Sequence, residues 1–214
     1  MPIEHGLGKW LRQGIAFALH SPAEFFTYMF ALLRGTWYVC LYSLCRRNVR
    51  IRFPFYAHAR VRISGPGCVE IGSGCDVFSN THVGLSIVTL SPRAKVTIGR
   101  NSSLGGLVVR ARHEVSLGDR VRTAYCLIQD DLFLHLDCVR SRQSVLVPKE
   151  GVVVGADAWV ALNACVLTGT HLGVHTVVAA GSVVFRRHIQ EAHFVTGNPS
   201  LSSLPIPHLL RLRG

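Results

Sequence analysis

Residues 152–185 read VVVGADAWVALNACVLTGTHLGVHTVVAAGSVVF, and this stretch decides the fold. In a six-residue frame that starts at Val154, the first position of each unit is a branched aliphatic residue: Val154, Val160, Val166, Leu172, Val178 and Val184. The fifth position of the first five units is small: Ala158, Ala164, Thr170, Thr176 and Ser182. A repeated short strand followed by a tight corner gives this pattern, whereas a helix or an alternating strand does not. We therefore predict that the aliphatic side chains point inward and that the small residues lie near the corners.

Glycines mark how the coils of this repeat follow one another along the chain. The phrases VEIG, VTIG, VSLG, VVVG and HLG end at Gly72, Gly99, Gly118, Gly155 and Gly173. Three six-residue units make one coil, so the interval from Gly155 to Gly173 is one coil and that from Gly99 to Gly118 is a single residue longer. The interval from Gly118 to Gly155 is one coil plus 19 residues, which predicts an inserted loop, and the first interval predicts a smaller irregularity. A stacked solenoid explains all of these intervals, whereas a sandwich of unrelated strands explains none.

Three segments carry a resemblance to a known family: AWVALNACVLTGTHLG (158–173), AAGSVVF (179–185) and VTGNP (195–199). Over roughly residues 69–200 the chain resembles the hexapeptide-repeat acyltransferases, in particular those that modify sugars of polysaccharides. The resemblance implies a mainly β fold, a left-handed parallel β-helix solenoid. Left-handed winding is rare, because nearly all crossover connections between parallel strands are right-handed. It also implies a homotrimer that binds acyl-CoA in clefts between neighbouring subunits.

The same resemblance implies which residues contact the cofactor, acetyl-CoA. These residues are Trp159, Ala161, Ala179, Gly181, Ser182, Arg186, Arg187 and Asn198. Trp159 occupies the sixth place of its unit and is expected to point outward, either as a wall of the cofactor or acceptor cleft or as an aromatic residue at a subunit contact. Arg186 and Arg187 follow the last regular unit, where they either bind the phosphates of CoA or form a solvated basic end.

Transfer of an acyl group from a thioester to a hydroxyl needs a base that accepts the hydroxyl proton, and neutral imidazole suits this task. In the family branch that the chain resembles, the loop before the Trp159 coil carries a histidine close to Leu-Asp, and here IQDDLFLHLDCVRSRQ (128–143) contains His135. A carboxylate would fix the tautomer of this imidazole, and Asp130, Asp131 and Asp137 are candidates. Backbone N–H groups would stabilise the oxyanion. Neither a metal nor a covalent intermediate is required.

Two other histidines compete with His135 for the role of base. His113 precedes Glu114 in HEVSLG, a phrase similar to one in some sugar-modifying hexapeptide acyltransferases, in which the glutamate orients the histidine. His82 lies in SNTHVG, where it either acts as base or lines the cleft together with Asn80. His171 and His175 are expected on different sides of a coil, so their spacing does not indicate a zinc site.

The N-terminal region differs in kind from the repeat. PAEFFTYMFALLRGTWYVCLYSLC (22–45) predicts a helix that begins at a capping box with Ser21 as N-cap, and an amphipathic helix over about 6–19 is expected before it. The helix is apolar nearly all round, but Arg34 at the centre of a bilayer would cost roughly 2.5–3.5 kcal/mol. We therefore expect this region either to lie on the inner face of an anionic membrane or to cap the end of the coil stack. The predicted domains are an arm (1–50), the acyltransferase solenoid (51–200) and a tail (201–214).

Composition limits the class of protein further. Of the 214 residues, 49% are hydrophobic and 16% are charged, which argues against a mainly disordered chain. The net charge is +11, and the region from Met1 to Arg60 carries eight cationic side chains against two acidic ones, which suggests an anionic partner other than nucleic acid. The seven cysteines are odd in number and contain no CxxC, so neither a zinc site nor a full disulfide framework is predicted. Most of them are expected as small core residues of a cytoplasmic protein.

Together these features predict an acetyl-CoA-dependent O-acetyltransferase that acts on a sugar hydroxyl of a cell-surface polysaccharide or its lipid-linked precursor. Two alternatives stay open at the level of sequence. One is an acetyltransferase for a small molecule, such as a free sugar, an amino acid or an antibiotic. The other is a non-catalytic β-helix that serves as an assembly module, and binding of CoA distinguishes it from both enzymes.

Overall fold

The chain folds as a mainly β parallel solenoid of about six turns, preceded by one helix, in a computed structural model that describes residues 22–78, 84–131 and 150–206. Helix α1 spans Pro22–Cys45, the bounds predicted from the sequence. The expected N-cap at Ser21 and the expected helix over 6–19 lie outside the described residues. Within the described part of the chain, no helix combines the length and apolarity needed to cross a bilayer.

Each coil of the solenoid contributes three short strands. The first three coils contain β1 (Val49–Ile51), β2 (Phe55–Ala57), β3 (Val61–Ser64), β4 (Cys68–Ile71), β5 (Cys75–Val77), β6 (Leu85–Thr89), β7 (Lys95–Ile98), β8 (Ser103–Gly105) and β9 (Val108–Ala111). The next three contain β10 (Glu114–Leu117), β11 (Arg122–Ala124), β12 (Leu127–Gln129), β13 (Val152–Val154), β14 (Trp159–Val160), β15 (Cys165–Leu167), β16 (His171–Leu172), β17 (Val177–Val178) and β18 (Val183–Val184). The chain then forms β19 (His188–Ile189), β20 (His193–Thr196) and β21 (Ser202–Pro205).

Equivalent strands of successive coils pair to form the three faces of the solenoid. The first sheet has the order β1-β4-β7-β10-β13-β16-β19, the second β2-β5-β8-β11-β14-β17-β20-β21, and the third β3-β6-β9-β12-β15-β18. All pairs are parallel except β20 with β21, which is antiparallel. The register reproduces the glycine intervals, since Ile71 pairs with Ile98, Ile98 with Leu117, Leu117 with Val154, and Val154 with Leu172. The predicted coil arithmetic is therefore confirmed.

The core is the stack of inward-facing aliphatic side chains. All six first-position residues of the repeat frame, from Val154 to Val184, are buried, and the five small fifth-position residues, from Ala158 to Ser182, are buried at the corners. Both predictions are confirmed. Residues 78–84 separate β5 from β6, and residues 130–151 separate β12 from β13, which places the two predicted irregularities. The predicted left-handed winding stays a prediction.

Helix α1 covers the open end of the first coil. Ala31 and Gly35 are buried against it, and a Cβ atom at position 35 would fall on the carbonyl oxygen of Phe55 in β2. The hydroxyl of Tyr38 accepts a hydrogen bond from the N–H of Val61 (3.4 Å), and that of Tyr42 accepts one from the N–H of Ile63 (2.9 Å). Because β3 is the edge of the third sheet, these hydroxyls satisfy strand donors that have no further strand to bind.

The C-terminal end of the solenoid is closed by an antiparallel strand pair and not by a helix. After β20 the chain turns at Gly197, Asn198 and Pro199, and β21 returns antiparallel to β20 within the predicted tail. At the other boundary, β1 begins at Val49, just before the predicted start of the solenoid at 51.

The cysteines of the described residues carry free thiols, but only Cys75 and Cys126 are fully buried. Cys68 and Cys165 are half-buried, and Cys40 and Cys45 are exposed on α1. The expectation that most cysteines belong to the core is therefore wrong, because two lie on the outer side of α1 and two point outward from strands. Burial raises the pKa of Cys75 to about 11 and that of Cys126 to about 12, so both thiols stay neutral and are poor nucleophiles.

Candidate functional site

A groove of about 870 Å³ lies on the outer face of the second sheet. Outward-facing residues of consecutive strands form its floor, and the register aligns Asp76 with Ser103, Ser103 with Arg122, Arg122 with Trp159, and Trp159 with Val177. Its volume lies within the usual range of about 300–1,000 Å³ for ligand pockets. We refer to this cavity as the second-sheet groove.

Aromatic side chains form one part of the groove. Trp159 lines it and is 50% exposed, so the outward orientation predicted for this residue is confirmed. Phe78 lines it from the segment after β5 and packs on Gly105, where any Cβ atom would collide with the phenyl ring. The groove therefore offers flat apolar surfaces that are accessible from solvent.

Polar side chains form the rest of the floor. The hydroxyl of Ser103 donates a hydrogen bond to the Asp76 carboxylate (2.9 Å), and the side chain of Arg122 is exposed on the neighbouring strand. Burial raises the pKa of Asp76, and the bond from Ser103 and the nearby His58 partly offset this effect. The groove thus combines a hydroxyl, a desolvated carboxylate and a guanidinium with the aromatic surfaces.

An ion pair closes the side of the groove where the first sheet turns into the second. Arg120 donates from Nε and Nη2 to both carboxylate oxygens of Asp157, at 2.7 and 2.6 Å. Both residues and Asn101 adopt left-handed backbone conformations, because each occupies the same corner of its coil. The ion pair lowers the pKa of the Asp157 carboxyl and fixes the groove wall across two coils.

A second set of predicted residues lies at the edge where the third sheet of one coil turns into the first sheet of the next coil. Asp130 is buried, and its carboxylate accepts the backbone N–H groups of Arg112 (2.6 Å) and His113 (2.7 Å). Burial raises the pKa of Asp130, while these N–H bonds act in the opposite direction. Asp131 pairs with Nε of Arg112 (3.0 Å), and its carbonyl oxygen accepts a hydrogen bond from the Gln129 side chain. We call this the inter-coil edge.

His113 lies half-buried at the inter-coil edge, and the carboxylate that interacts with it electrostatically is that of Asp130. Glu114, the partner expected from the sequence, is the first residue of β10 and is exposed. Thus the structure brings His113, Asp130 and Asp131 together, but on a different side of the coil from the second-sheet groove.

Arg186 and Arg187 lie further along the inter-coil edge, in the turn between β18 and β19. Arg186 is exposed with its guanidinium 5.2 Å from the centre of the Phe185 ring, and Arg187 donates to the carbonyl of Leu201 (2.8 Å). A Cβ atom at Gly169 would touch both Arg186 and the Glu150 carboxylate, so these two residues flank the same turn. The edge therefore carries two cationic side chains and one carboxylate next to the last coils.

The remaining predicted cofactor residues lie beside the groove, near the turn from the second sheet to the third. Ala161 and Ala179 follow β14 and β17, and Gly181 is exposed with open space around its Cα. The hydroxyl of Ser182 is buried and has no hydrogen-bond partner among the described residues. Asn198 lies in the exposed turn between β20 and β21. This turn binds the backbone next to Ser182, because the N–H of Val183 donates to the carbonyl of Gly197 (2.9 Å) and the N–H of Ser200 donates to the carbonyl of Val183 (2.8 Å).

Four predicted site residues lie outside the described residues: Asn80, His82, His135 and Asp137. The segment 79–83, which contains Asn80 and His82, follows Phe78 directly, and Phe78 lines the groove. The segment 132–149, which contains His135 and Asp137, follows Asp131 at the inter-coil edge.

Sequence reasoning missed the residues of the groove floor and one histidine pair. Asp76, Ser103 and Arg122 align only in the observed register, and the irregular intervals before residue 118 hide that alignment. His171 contacts His188 in the next coil, with Nδ1 atoms 3.1 Å apart, because β16 and β19 pair directly. Among the described residues, no three His, Cys, Asp or Glu side chains form a metal-binding cluster.

The fold and the site define a parallel β-solenoid with an aromatic and polar groove, consistent with a hexapeptide-repeat β-helix. Neither a comparison with protein-family models nor one with curated proteins gave a match for this chain.

Proposed function

We propose that the protein is an acetyl-CoA-dependent O-acetyltransferase whose acceptor is a hydroxyl of a carbohydrate, such as a cell-surface polysaccharide or its lipid-linked precursor. The observation that carries this proposal is the second-sheet groove, which aligns Asp76, Ser103, Arg122 and Trp159 on consecutive strands. The hexapeptide repeat and the VTGNP ending, which resemble sugar acyltransferases, support the same class of reaction.

The shape of the groove favours a carbohydrate over a compact small molecule. It spans the strands from β5 to β17 of the second sheet, which at about 4.8 Å between strands gives a length of about 19 Å. An extended ligand fits such a length. Trp159 and Phe78 would pack against the apolar faces of sugar rings, and the polar floor would bind their hydroxyls.

In the proposed reaction, the acceptor hydroxyl oxygen attacks the thioester carbonyl of acetyl-CoA while a histidine accepts the hydroxyl proton. The tetrahedral oxyanion then collapses, the C–S bond breaks, and the protonated histidine returns the proton to the departing CoA sulfur. His135 is the first candidate base and His113 the second.

The residues of the second-sheet groove and those of the inter-coil edge lie on different sides of one chain, and this separation supports a homotrimer. In one chain the groove occupies the second sheet, whereas His113, Asp131 and Arg186 lie at the inter-coil edge. A neighbouring copy that presents its edge to the groove would complete a site that one chain leaves divided. CoA phosphates would then bind arginines of the edge, and the acetyl group would reach the groove. We propose that this assembly works in the cytoplasm, where acetyl-CoA is available.

The test measures release of the CoA thiol from acetyl-CoA with polysaccharide and oligosaccharide acceptors. For a general base, His135→Ala should lower kcat by about 10²–10⁴-fold and leave CoA affinity nearly unchanged. In the wild type, kcat should rise with pH as the histidine loses its proton.

His113→Ala serves as the paired variant. Loss of transfer in His113→Ala, with most activity kept in a folded His135→Ala, would move the base to the inter-coil edge. Failure of every acceptor to release thiol from a protein that does bind CoA would contradict the carbohydrate acceptor. A protein that binds no CoA would instead be an assembly module.

A further inference from the structure

The outward face of α1 is a continuous apolar stripe. Its members are spaced three or four positions apart, as residues on one helix face are, and they are Phe26, Phe30, Leu33, Trp37, Leu41 and Leu44. Phe30 and Trp37, near the middle of the stripe, are each 66% exposed. Solitary exposed apolar residues are common on protein surfaces, but an apolar row along a whole helix marks an interaction surface.

The packing of the opposite face fixes the direction in which the stripe points. Gly35 sits against the backbone of Phe55, and Ala31 is buried beside it. The hydroxyls of Tyr38 and Tyr42 bind the edge of β3. The helix therefore cannot turn its apolar stripe inward without losing these contacts, and the stripe faces away from the solenoid.

The surface around the stripe is strongly basic. Between Glu24 and Glu70 the chain has seven arginines and no acidic residue. Of these, Arg47 follows the end of α1, and Arg50, Arg52, Arg60 and Arg62 are exposed on the first coil, which α1 covers. Glu70 lies beside Arg50 in the pairing of β4 with β1, and the rim keeps a large excess of cationic side chains. An apolar stripe with a rim of net positive charge has the chemistry of a surface that binds anionic lipid.

We infer that this end of the solenoid binds the surface of an anionic bilayer, with α1 in the plane of the membrane and the stripe at the boundary between headgroups and acyl chains. A second copy of the chain fits the stripe less well, because stripe-to-stripe pairing would bring two sets of arginines together with too few acidic residues to neutralise them. The inference is independent of the proposed acetyl transfer.

The test uses the full-length protein and sedimentation with vesicles of phosphatidylcholine, with and without phosphatidylglycerol. Wild type should bind the anionic vesicles and bind neutral ones at least about 10-fold more weakly, since each surface arginine contributes to attraction. The double substitution Phe30→Gln/Trp37→Gln should weaken binding by about 100-fold or more because it removes two large apolar groups from the stripe. Leu201→Gln is the matched control: Leu201 is 78% exposed near the other end of the solenoid, and its substitution should leave binding unchanged.

A second measurement follows Trp37 alone, in a variant with Trp10→Phe and Trp159→Phe. Its fluorescence should be open to acrylamide quenching in solution, and it should shift to the blue and become protected when anionic vesicles are added. Protection of Trp37 before vesicles are added would overturn the inference, since residues 1–21 or another copy would then cover the stripe. Equal vesicle binding by Phe30→Gln/Trp37→Gln and wild type would overturn it as well.

Discussion

Substitution of Gly35 by alanine tests how α1 is seated on the solenoid. On helix propensity alone, Gly→Ala inside a helix should stabilise the protein by about 1 kcal/mol. The structure predicts the opposite sign, because the new Cβ atom would fall on the carbonyl oxygen of Phe55. The carbonyl oxygen belongs to the backbone and the position of a Cβ atom is fixed by its own backbone, so no side-chain rotation relieves the overlap and α1 must move outward.

The magnitude follows from what that movement disrupts. Overpacking of a tight contact costs about 1–3 kcal/mol, and each of the hydrogen bonds accepted by Tyr38 and Tyr42 contributes about 1 kcal/mol. After the gain in helix propensity, we expect Gly35→Ala to lower the free energy of unfolding by about 2–4 kcal/mol.

Urea unfolding followed by far-UV circular dichroism measures this change. The control is Ser43→Ala, which alters an exposed position of the same helix and should stabilise the protein by a few tenths of a kcal/mol. A Gly35→Ala protein as stable as wild type, or more stable, would refute the seating of α1 on β2.

Three further substitutions probe the solenoid and its groove. Burial raises the pKa of Asp76, so its ionised carboxylate destabilises the folded protein at neutral pH. The contribution of Asp76 to the free energy of unfolding is greatest below the pKa of the unfolded state, and it is lost as the pH rises through the pKa of the folded state. Asp76→Asn should therefore raise Tm at pH 7 and lose this advantage in acid, and an equal Tm at pH 7 would contradict the assignment. Val166→Ala, in the core, should cost about 2–3 kcal/mol in urea unfolding, whereas Val153→Ala, half-exposed, should cost clearly less; equal losses would contradict the inward frame. Trp159→Ala should lower kcat/KM for the carbohydrate acceptor by about 10-fold or more, whereas Leu162→Ala, equally exposed outside the groove, should not.

The sequence predicted the part of the fold that depends on local repetition. From Val154 to Val184 the six-residue frame has no interruption, so the inward aliphatic and small corner residues can be read directly. The bounds of α1 are also local, because Pro22 begins the helix and the apolar run continues to Cys45.

The groove could not be predicted in the same way, because its floor depends on contacts between coils. Asp76 pairs with Ser103 across a longer stretch of chain than Ser103 does with Arg122, so their alignment depends on the lengths of irregular turns. The pairing of His171 with His188 likewise needs a coil that is a single residue shorter than three regular units. The pairing of α1 tyrosines with β3 depends on the docking of the helix, for which the sequence has no periodic signal.

Calorimetric titration of CoA into the full-length protein tests the proposed acyl transfer most directly. We predict saturable binding of one CoA per chain, which weakens at high salt because arginines bind the CoA phosphates. Arg186→Ala should weaken this binding, whereas Arg47→Ala, on the α1 side of the solenoid, should leave it unchanged. Absence of binding at millimolar CoA in a folded, assembled protein would contradict the acyltransferase and leave the solenoid as an assembly module.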